Sequence, residues 1–420
     1  MLKILLLNYT DSGGGAAIAA HRLLTALRGG GIDATLGVVE KHTADKAVIS
    51  LAKKKSPWRG IMKISKKLIT LSAKMLKLRY KTTNPIFHST NTKTRIDINA
   101  VNNSDYDLVH LHWLNCDMIA IEDLARIKKP LVWTMHDSWV FCGAEHHPNI
   151  LENDRRFITG YTRANKPATT RGIDVCRKTW ERKKQAWKNC KFNFISPSNF
   201  EKDCLAQSAL FPYAECAVIP NIIPSAIFRP IDRKSVRDLY QITTGKKVIG
   251  FGAADASGDK NKNGDALIKA LQKISNPDDF QLVVFGRASA AFIAAVGGMA
   301  VFATGFIENP SILAGIYNLL DVFVCPSVIE NLSNCMIEAM FCGVPVAAFR
   351  TGGNSDIVEH EKNGYLAEPF DSDDLHRGIR YCLDNRAELS RRSLAKAAAD
   401  FDNADIVKAH VALYEKVLRR

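Results

Sequence analysis

Short continuous hydrophobic runs alternate along this chain with longer stretches in which apolar residues recur at helical spacing. Runs that predict buried strands in the first half lie at residues 4–8, 34–39, 107–112, 130–135, 192–195 and 217–219. Runs in the second half lie at residues 247–252, 282–286, 301–305, 322–324 and 344–348. Helices are predicted between them, at residues 16–27 and at 405–418 among others. Strands and helices that alternate in two successive series indicate two doubly wound α/β domains.

Chain length and composition fit this interpretation. A chain of 420 residues is too long for a single typical hydrophobic core. Its composition of 46% hydrophobic and 24% charged residues is ordinary for a globular protein. No hydrophobic run approaches the roughly 20 apolar residues of a membrane span. The first nine residues have the pattern of a strand. We therefore expect a cytoplasmic protein. The ten cysteines form no Cys-x-x-Cys pair, so neither a disulfide framework nor a zinc site is predicted.

The net charge of +14 is concentrated in one region. Between Asp45 and Asp97 there are fourteen lysines and arginines and no acidic residue, so the remainder of the chain is close to neutral. Residues 53–81 within this region have the pattern of an amphipathic helix. Its apolar face comprises Ile61, Ile64, Leu68, Leu71, Met75 and Leu78. Its lysine face and a tryptophan near its start comprise Lys63, Lys66, Lys67, Lys74, Lys77 and Trp58.

Such a helix is typical of the surface of an anionic bilayer, where each lysine contributes about 1 kcal/mol to binding. Membrane association is therefore our prediction for the segment. An amphipathic helix packed on its own domain is the alternative. Nucleic-acid binding is a third possibility, but no nucleic-acid motif accompanies the charge and we expect no such partner.

Two glutamates, Glu330 and Glu338, lie in a segment between two apolar strands. Residues 326–346 read PSVIENLSNCMIEAMFCGVPV, which predicts a loop that carries Glu330 and a following helix that carries Glu338. In open α/β sheets, ligands bind beyond the carboxyl ends of the strands. Carboxylates accept hydrogen bonds from hydroxyl groups, so two acids at this spacing can hold two polyols, such as a sugar ring and a ribose.

This segment resembles the donor-binding signature of the retaining glycosyltransferases of family 4. Residues 141–148, FCGAEHHP, resemble a bacterial subgroup that builds surface polysaccharides such as O-antigen and colanic acid. The likeness covers nearly the whole chain except the basic region. It implies the GT-B fold, in which two Rossmann-like domains face each other across a cleft. The predicted parts are residues 1–222 with the basic excursion 53–81, residues 223–403, and a helix at 404–420 that returns to the N-terminal domain.

The resemblance also implies a donor site. Glu330 would hold hydroxyls of the transferred sugar and Glu338 the ribose, while amides that open the helix hold phosphate. Lys262 matches the diphosphate-binding lysine of the family, and Arg287 is the candidate replacement for a family arginine that is missing here. The glycine-rich loop after the first strand would face the donor. The predicted donor-binding residues are Gly13, Gly14, Gly15, Lys262, Arg287, Glu330, Asn331, Leu332, Ser333, Asn334 and Glu338.

His136 and Asp137 follow the strand at 130–135, and the resemblance places His136 close to the transferred sugar. A retaining mechanism of this kind needs no separate nucleophile, and the leaving phosphate itself can take the acceptor's proton. The predicted catalytic residues are His136, Glu330 and Lys262, and the predicted acceptor-side residues are Asp137, Glu145, His146 and His147. His110 and His112 share one face of a strand without a third ligand, so no metal is predicted.

The predicted function is transfer of a hexose from a UDP- or GDP-sugar to a lipid-linked glycan, in bacterial cell-surface polysaccharide synthesis. We expect no cofactor beyond the donor and a peripheral location on the inner face of the plasma membrane. The alternatives are a GT-B nucleotide-sugar epimerase and a catalytically degenerate membrane scaffold. The sequence leaves open which sugar, base, acceptor and linkage are used, the oligomeric state, and whether Arg287 replaces the missing arginine.

Overall fold

The computed structural model describes residues 2–53, 80–82, 84, 86–242 and 245–419. The predicted basic helix, with Trp58 and its lysines Lys63, Lys66, Lys67, Lys74 and Lys77, lies outside the described residues. The chain divides into two units. Unit 1 comprises Met1–Pro197, Glu201–Ile219 and Ala409–Arg420, and unit 2 comprises Ser198–Phe200 and Pro220–Lys408.

Unit 1 is built on a parallel sheet whose central strands are buried on both faces. Among the described residues its strands are β1 (Lys3–Leu7), β2 (Asp33–Val38), β3 (Val48–Ser50), β4 (Tyr80–Lys81), β5 (Leu108–Leu111), β6 (Leu131–Thr134), β7 (Arg171–Gly172), β8 (Phe192–Ser196) and β9 (Cys216–Val218). Seven of them form the main sheet in the order β3-β2-β1-β5-β6-β8-β9, and β4 pairs with β7 in a small antiparallel sheet. Burial from both sides explains the continuous apolar runs that predicted these strands.

The helices of unit 1 connect these strands on both sides of the sheet. They are Gly15–Gly29, Ile98–Asn102, Ile121–Leu124, Arg156–Thr159, Val175–Ala186 and Asn199–Gln207, with 3₁₀ turns at Ser138–Val140 and Ile150–Glu152. The stretch 150–175, which its polar pattern predicts as a long loop, contains two of these short helical segments and β7. Arg156 orders it, because its guanidinium pairs with Asp154 at 2.8 Å and lies 3.6 Å from Asp174.

Unit 2 is a second doubly wound sheet. Its strands are β10 (Lys247–Asp255), β11 (Phe280–Arg287), β12 (Ala300–Gly305), β13 (Val322–Cys325), β14 (Val346–Phe349) and β15 (Gly364–Ala367), paired in parallel in the order β12-β11-β10-β13-β14-β15. Side chains alternate between two cores: Val322 and Val324 pack on one face of the sheet, and Phe323 packs on the other. The order reverses at β10, and ligands of such sheets bind at that point.

The helices of unit 2 cover both faces of this sheet. They are Arg233–Leu239, Gly264–Leu271, Ala290–Ala295, Pro310–Leu319, Asn334–Phe341, Asn354–Ile357, Ser372–Asp384 and Arg386–Asp400, with a 3₁₀ turn at Pro277–Asp279. The last helix, Asn403–Leu418, begins in unit 2, and its residues from Ala409 onward belong to unit 1. There the Tyr414 hydroxyl lies 2.7 Å from His110 Nδ1. In the described part of the chain, no helix has both the length and the apolarity needed to cross a bilayer.

Candidate functional site

Two loops at the switch point of the unit 2 sheet are joined by Asn261. This residue lies between β10 and the next helix, and its backbone carbonyl accepts a hydrogen bond from Val328 N at 2.7 Å. Its side-chain amide donates to Ile329 O at 2.9 Å and accepts from Ile329 N at 3.2 Å. Three hydrogen bonds therefore fix the loop after β10 against the loop after β13.

This junction brings Lys262 and Glu330 into contact. Lys262 Nζ lies 2.5 Å from Glu330 Oε1, and the two side chains are 26% and 14% exposed. Burial alone would lower the pKa of Lys262, but the Glu330 carboxylate together with Cys325 and Cys335 outweighs it and raises that pKa above its ordinary value. The ammonium therefore stays charged across the physiological pH range, at the strand ends where a ligand would bind.

A pair of glycines holds the Glu330 loop from the other side. Gly353 N donates to Glu330 O at 2.8 Å. A Cβ at Gly352 would lie 2.0 Å from Glu330 O, and a Cβ at Gly353 would lie 1.8 Å from Asn331 O. Gly352 also has a φ of +54°, a conformation that favours glycine. The loop after β14 can therefore approach Glu330 this closely only because neither residue has a side chain.

Glu338 lies on the helix Asn334–Phe341, as its spacing predicts. The glutamate is 4% exposed, and its Oε2 accepts a hydrogen bond from the Tyr317 hydroxyl at 2.9 Å. The N-cap residue, Ser333, makes no side-chain hydrogen bond to the first turn of this helix. Backbone amides at such a helix start favour an anion such as a phosphate.

The other predicted donor-binding residues of unit 2 differ in how far they are exposed to solvent. Asn331, Leu332 and Ser333 are 5%, 8% and 5% exposed, and the side-chain Oδ1 of Asn331 accepts a hydrogen bond from Ser198 Oγ at 2.6 Å. Arg287 is exposed at the end of β11, where its backbone carbonyl accepts from Ala256 N. Its role in binding a diphosphate stays a prediction.

The glycine-rich loop of unit 1 is open to solvent. Gly13, Gly14 and Gly15 are exposed, and a Cβ at each would have no neighbour within 4 Å. Gly14 is the N-cap of the helix Gly15–Gly29, whose first turn contains no acidic residue. The loop therefore leaves room beside a helix start at the carboxyl end of β1, which is compatible with its predicted donor contact.

His136 follows β6 and forms part of a histidine stack in unit 1. Its Nε2 lies 2.9 Å from His112 Nδ1, with the two ring centroids 5.2 Å apart. His110 lies 4.3 Å from His112 by ring centroids and contacts Thr134 Oγ1 through its Nε2. Burial lowers the pKa of His136 to about 4, so its imidazole is neutral at physiological pH. A neutral imidazole can position a hydroxyl by hydrogen bonding, which fits its predicted role.

Asp137 makes three hydrogen bonds to protein partners. Its Oδ2 accepts from Trp113 Nε1 at 3.0 Å and contacts His146 Nδ1 at 2.6 Å, and its Oδ1 accepts from Trp139 N at 3.0 Å. Burial would raise the pKa of Asp137, but His146 and the other partners outweigh it and lower that pKa to about 2. The carboxylate therefore orients neighbouring side chains, and its acceptor-side role stays a prediction.

The other acceptor-side predictions also have structural partners. His146 Nε2 contacts Ser89 Oγ at 2.9 Å, and His147 Nδ1 contacts Ser138 Oγ at 3.2 Å. Glu145 is 1% exposed and accepts a hydrogen bond from Tyr161, a position that favours support of the loop over contact with a substrate. Within the described residues, Glu145 also forms with His88 and Cys176 a group whose potential metal-ligand atoms lie within 4.8 Å of one another.

Lys183 is a supporting residue that sequence reasoning missed. The side chain is fully buried, and its ammonium donates to the carbonyls of Trp139, of Cys142 at 3.1 Å and of Gly143 at 2.8 Å. Burial lowers its pKa to about 7. The lysine thus fixes the turn between Asp137 and His146. The sequence offers one signal for this role, which is that Lys183 lies on the buried face of the helix Val175–Ala186. A lysine on a helix is ordinarily interpreted as a solvated charge, so the signal was missed.

Comparison with known proteins agrees with this architecture. Residues 246–385 match the family model described as "Glycosyl transferases group 1". The 2-deoxystreptamine glucosyltransferase of Streptomyces kanamyceticus is 33% identical over 188 residues, which cover 41% of this chain and 46% of that protein. The chain thus spans about half the length of this curated relative.

Solved structures match over nearly the full chain. Anabaena HepE in complex with UDP-glucose superposes with a TM-score of 0.67 at 16% identity, covering 99% of this chain and 100% of that one. WaaG, described as a glycosyltransferase involved in lipopolysaccharide biosynthesis, gives a TM-score of 0.64 at 13% identity over 98% and 99% of the two chains. The chain therefore has the GT-B fold, and its residues 246–385, which carry Lys262, Glu330 and Glu338, match the model of the group 1 glycosyltransferases.

Proposed function

We propose that this protein is a retaining glycosyltransferase that moves a hexose from a UDP- or GDP-sugar to a lipid-linked glycan of a bacterial surface polysaccharide. The observation that carries the proposal is the contact between Lys262 and Glu330 at the carboxyl ends of β10 and β13. One cation and one carboxylate lie there side by side, and a nucleotide sugar presents a diphosphate and hydroxyl groups to bind to them.

Each residue of the donor site has a role in this proposal. Lys262 stabilises the negative charge that develops on the leaving diphosphate, with help from the amides that open the helix Asn334–Phe341. Glu330 accepts hydrogen bonds from hydroxyls of the transferred sugar, and Glu338 accepts them from the ribose. His136 is neutral and positions a hydroxyl, while the leaving phosphate takes the acceptor's proton. No metal is assigned, because Lys262 and the amides supply positive charge.

Relatives support the choice of donor and acceptor class. HepE was solved with UDP-glucose, and WaaG is described as acting in lipopolysaccharide biosynthesis. We extend both features to this chain as part of the proposal. The basic segment 53–81 suits a peripheral location on the inner face of the plasma membrane, where a lipid-linked acceptor is found.

Calorimetric titration with nucleoside diphosphates and nucleotide sugars tests the donor site. We expect the protein to bind UDP or GDP and its sugar in the presence of EDTA, because Lys262 and not a metal compensates the diphosphate. Lys262→Ala should weaken that binding at least about tenfold, the loss of a charge-assisted hydrogen bond of about 1.5–3 kcal/mol. Lys247→Ala is the matched control, since Lys247 lies at the opposite end of β10 and its side chain is 43% exposed.

The outcomes separate the alternatives. A scaffold without catalytic function would bind no nucleotide at all, which contradicts the proposal. An epimerase would bind the donor and change its sugar without an acceptor. A transferase would release the nucleoside diphosphate with a glycan product, and inversion of the anomeric configuration in that product would contradict a retaining mechanism.

Flotation with liposomes tests the membrane location. The wild-type protein should float with vesicles that contain anionic lipid, and neutralising Lys63, Lys66, Lys67, Lys74 and Lys77 should abolish flotation, since together they contribute about 5 kcal/mol. The control neutralises five exposed lysines elsewhere: Lys128, Lys188, Lys362, Lys408 and Lys416. Equal flotation of the wild type and the first variant would exclude binding through this segment.

A further inference from the structure

Three side chains with different metal-binding atoms meet in unit 1, although they come from separate segments of the chain. An imidazole nitrogen of His88, a carboxylate oxygen of Glu145 and the sulfur of Cys176 lie within 4.8 Å of one another. His88 and Glu145 form an antiparallel β-bridge, and Cys176 lies in the first turn of the helix Val175–Ala186. A Cβ at Gly143 would lie 2.5 Å from Cys176 O, so the turn before Glu145 packs directly on that helix. We refer to His88, Glu145 and Cys176 as the three-ligand cluster.

Hydrogen bonds outside the cluster orient two of its members. His88 Nδ1 lies 2.6 Å from Ile86 O, and because a carbonyl only accepts, this nitrogen carries the proton and Nε2 keeps its lone pair. The Tyr161 hydroxyl donates to Glu145 Oε1. Histidines and carboxylates that bind a metal are held in this way by a carbonyl or a hydrogen-bond donor behind them.

The second carboxylate oxygen of Glu145 is buried without a hydrogen bond. Glu145 is 1% exposed, and among the described residues its Oε2 has no hydrogen-bond partner. Burial would raise the pKa of Glu145, but Arg156, the Cys176 thiol and Tyr161 outweigh it and lower that pKa. The thiol is thus near enough to favour the charged carboxylate, although it does not satisfy Oε2. A buried charged oxygen without a partner is costly, and a bound cation would satisfy it.

Negative charge exceeds positive charge around this carboxylate. The buried guanidinium of Arg156 pairs with Asp154 at 2.8 Å, lies 3.6 Å from Asp174 and also acts on Glu145. Three carboxylates therefore share one guanidinium. Lys183 is the other cation that acts on Glu145, but burial lowers its pKa to about 7, so it is only partly charged at physiological pH. A divalent cation beside Glu145 would offset the surplus.

We propose that the three-ligand cluster binds one zinc ion, which ties the segment of His88 to the turn at 141–147 and to the helix Val175–Ala186. Zinc accepts nitrogen, oxygen and sulfur ligands together, whereas calcium and magnesium require oxygen. The ligands of a tetrahedral zinc ion lie about 3.5 Å apart, so atoms within 4.8 Å of one another need to shift by only about 1 Å. Cys176 binds as the thiolate and releases its proton to solvent.

The ion is structural, because no member of the three-ligand cluster belongs to the donor site of unit 2. His88 is only partly buried, so water can reach the fourth coordination position. The inference goes beyond the proposed function and does not depend on it. The spacing of the cysteines does not predict this site, since its ligands lie 57 and 31 residues apart along the chain.

Titration of the full-length protein with Zn²⁺ and Co²⁺, after removal of bound metal with EDTA and transfer to chelator-free buffer, tests the proposal. The wild type should bind one zinc ion per chain with high affinity, and Co²⁺ should give the charge-transfer absorption of a cobalt–thiolate bond. Cys176→Ser should abolish that absorption and weaken zinc binding at least about tenfold. Cys204→Ser is the matched control, because Cys204 is also buried in unit 1 but lies outside the cluster.

His88→Ala is a second variant at a partly exposed position, and it decides the matter if Cys176→Ser fails to fold. Zinc at about 100 times its Kd should raise the midpoint of thermal unfolding of the wild type by about 5 °C and leave that of His88→Ala unchanged. Absence of the cobalt–thiolate absorption, or equal zinc affinity in the wild type and both variants, would overturn the proposal. Calorimetric binding of UDP or GDP should be the same in all of these proteins, so failure of the proposed function remains a separate result.

Discussion

Replacing Glu330 with glutamine is expected to reduce sugar transfer by roughly a hundredfold or more. Glutamine keeps the size of the side chain but removes the negative charge that faces Lys262 at 2.5 Å. The sugar hydroxyls then lose a charged acceptor, and the ammonium loses the partner that fixes its position. Removal of one preorganised electrostatic contact from an active site commonly costs about 2.7–4 kcal/mol of transition-state stabilisation. Steady-state kinetics with the donor identified by calorimetry measure this loss.

Glu368→Gln is the matched control for this experiment. Glu368 follows β15 in the same unit, its side chain is 68% exposed, and its nearest cation, Arg350, lies 3.9 Å away. An exposed pair of this kind contributes about 0–1 kcal/mol to stability, so we expect Glu368→Gln to leave the rate of sugar transfer unchanged. Normal transfer by a folded Glu330→Gln protein would remove the central contact from the proposed site.

Gly353→Ala is expected to impair donor binding at least about tenfold without altering any side chain at the site. The added Cβ would lie 1.8 Å from Asn331 O, and real Cβ atoms do not approach a backbone oxygen so closely. The loop that carries Glu330 must therefore move away from Gly353, whose amide now donates to Glu330 O at 2.8 Å. We also expect the midpoint of thermal unfolding to fall by about 5 °C, which corresponds to about 2 kcal/mol in a domain of this size.

Gly315→Ala provides the comparison, because Gly315 lies in the helix Pro310–Leu319 and its added Cβ would meet no atom closer than 4.0 Å. Alanine is favoured over glycine inside a helix, so this variant should bind the donor normally and be as stable as the wild type or more so. Calorimetric titration and thermal unfolding of both variants give the result. Equal donor affinity in the two alanine variants would show that the close approach at Gly353 does not position Glu330.

Periodicity located both sheets because buried parallel strands carry unbroken apolar runs. The prediction of strands at 322–324 and 344–348 agrees with β13 and β14, and the helix predicted to carry Glu338 is present. Short or polar elements gave no such signal. β3 has three residues, and the segments within 150–175 depend on the ion pairs of Arg156, which only the tertiary structure reveals.

Contacts between distant residues could be anticipated only in part. Lys262 and Glu330 are 68 residues apart, and a motif places each of them at a strand end. Their contact depends on β10 and β13 being neighbours and on the hydrogen bonds of Asn261, which no local pattern encodes.

The three hydrogen bonds of Asp137 bear on proton transfer in the proposed reaction. A carboxylate whose pKa is about 2, and whose oxygens are occupied by Trp113, Trp139 and His146, has little tendency to take up a further proton. It is consequently a poor general base for an incoming hydroxyl, despite its position beside His136. The basicity needed for that step would then come from the departing nucleotide, so the substrate would supply its own proton sink.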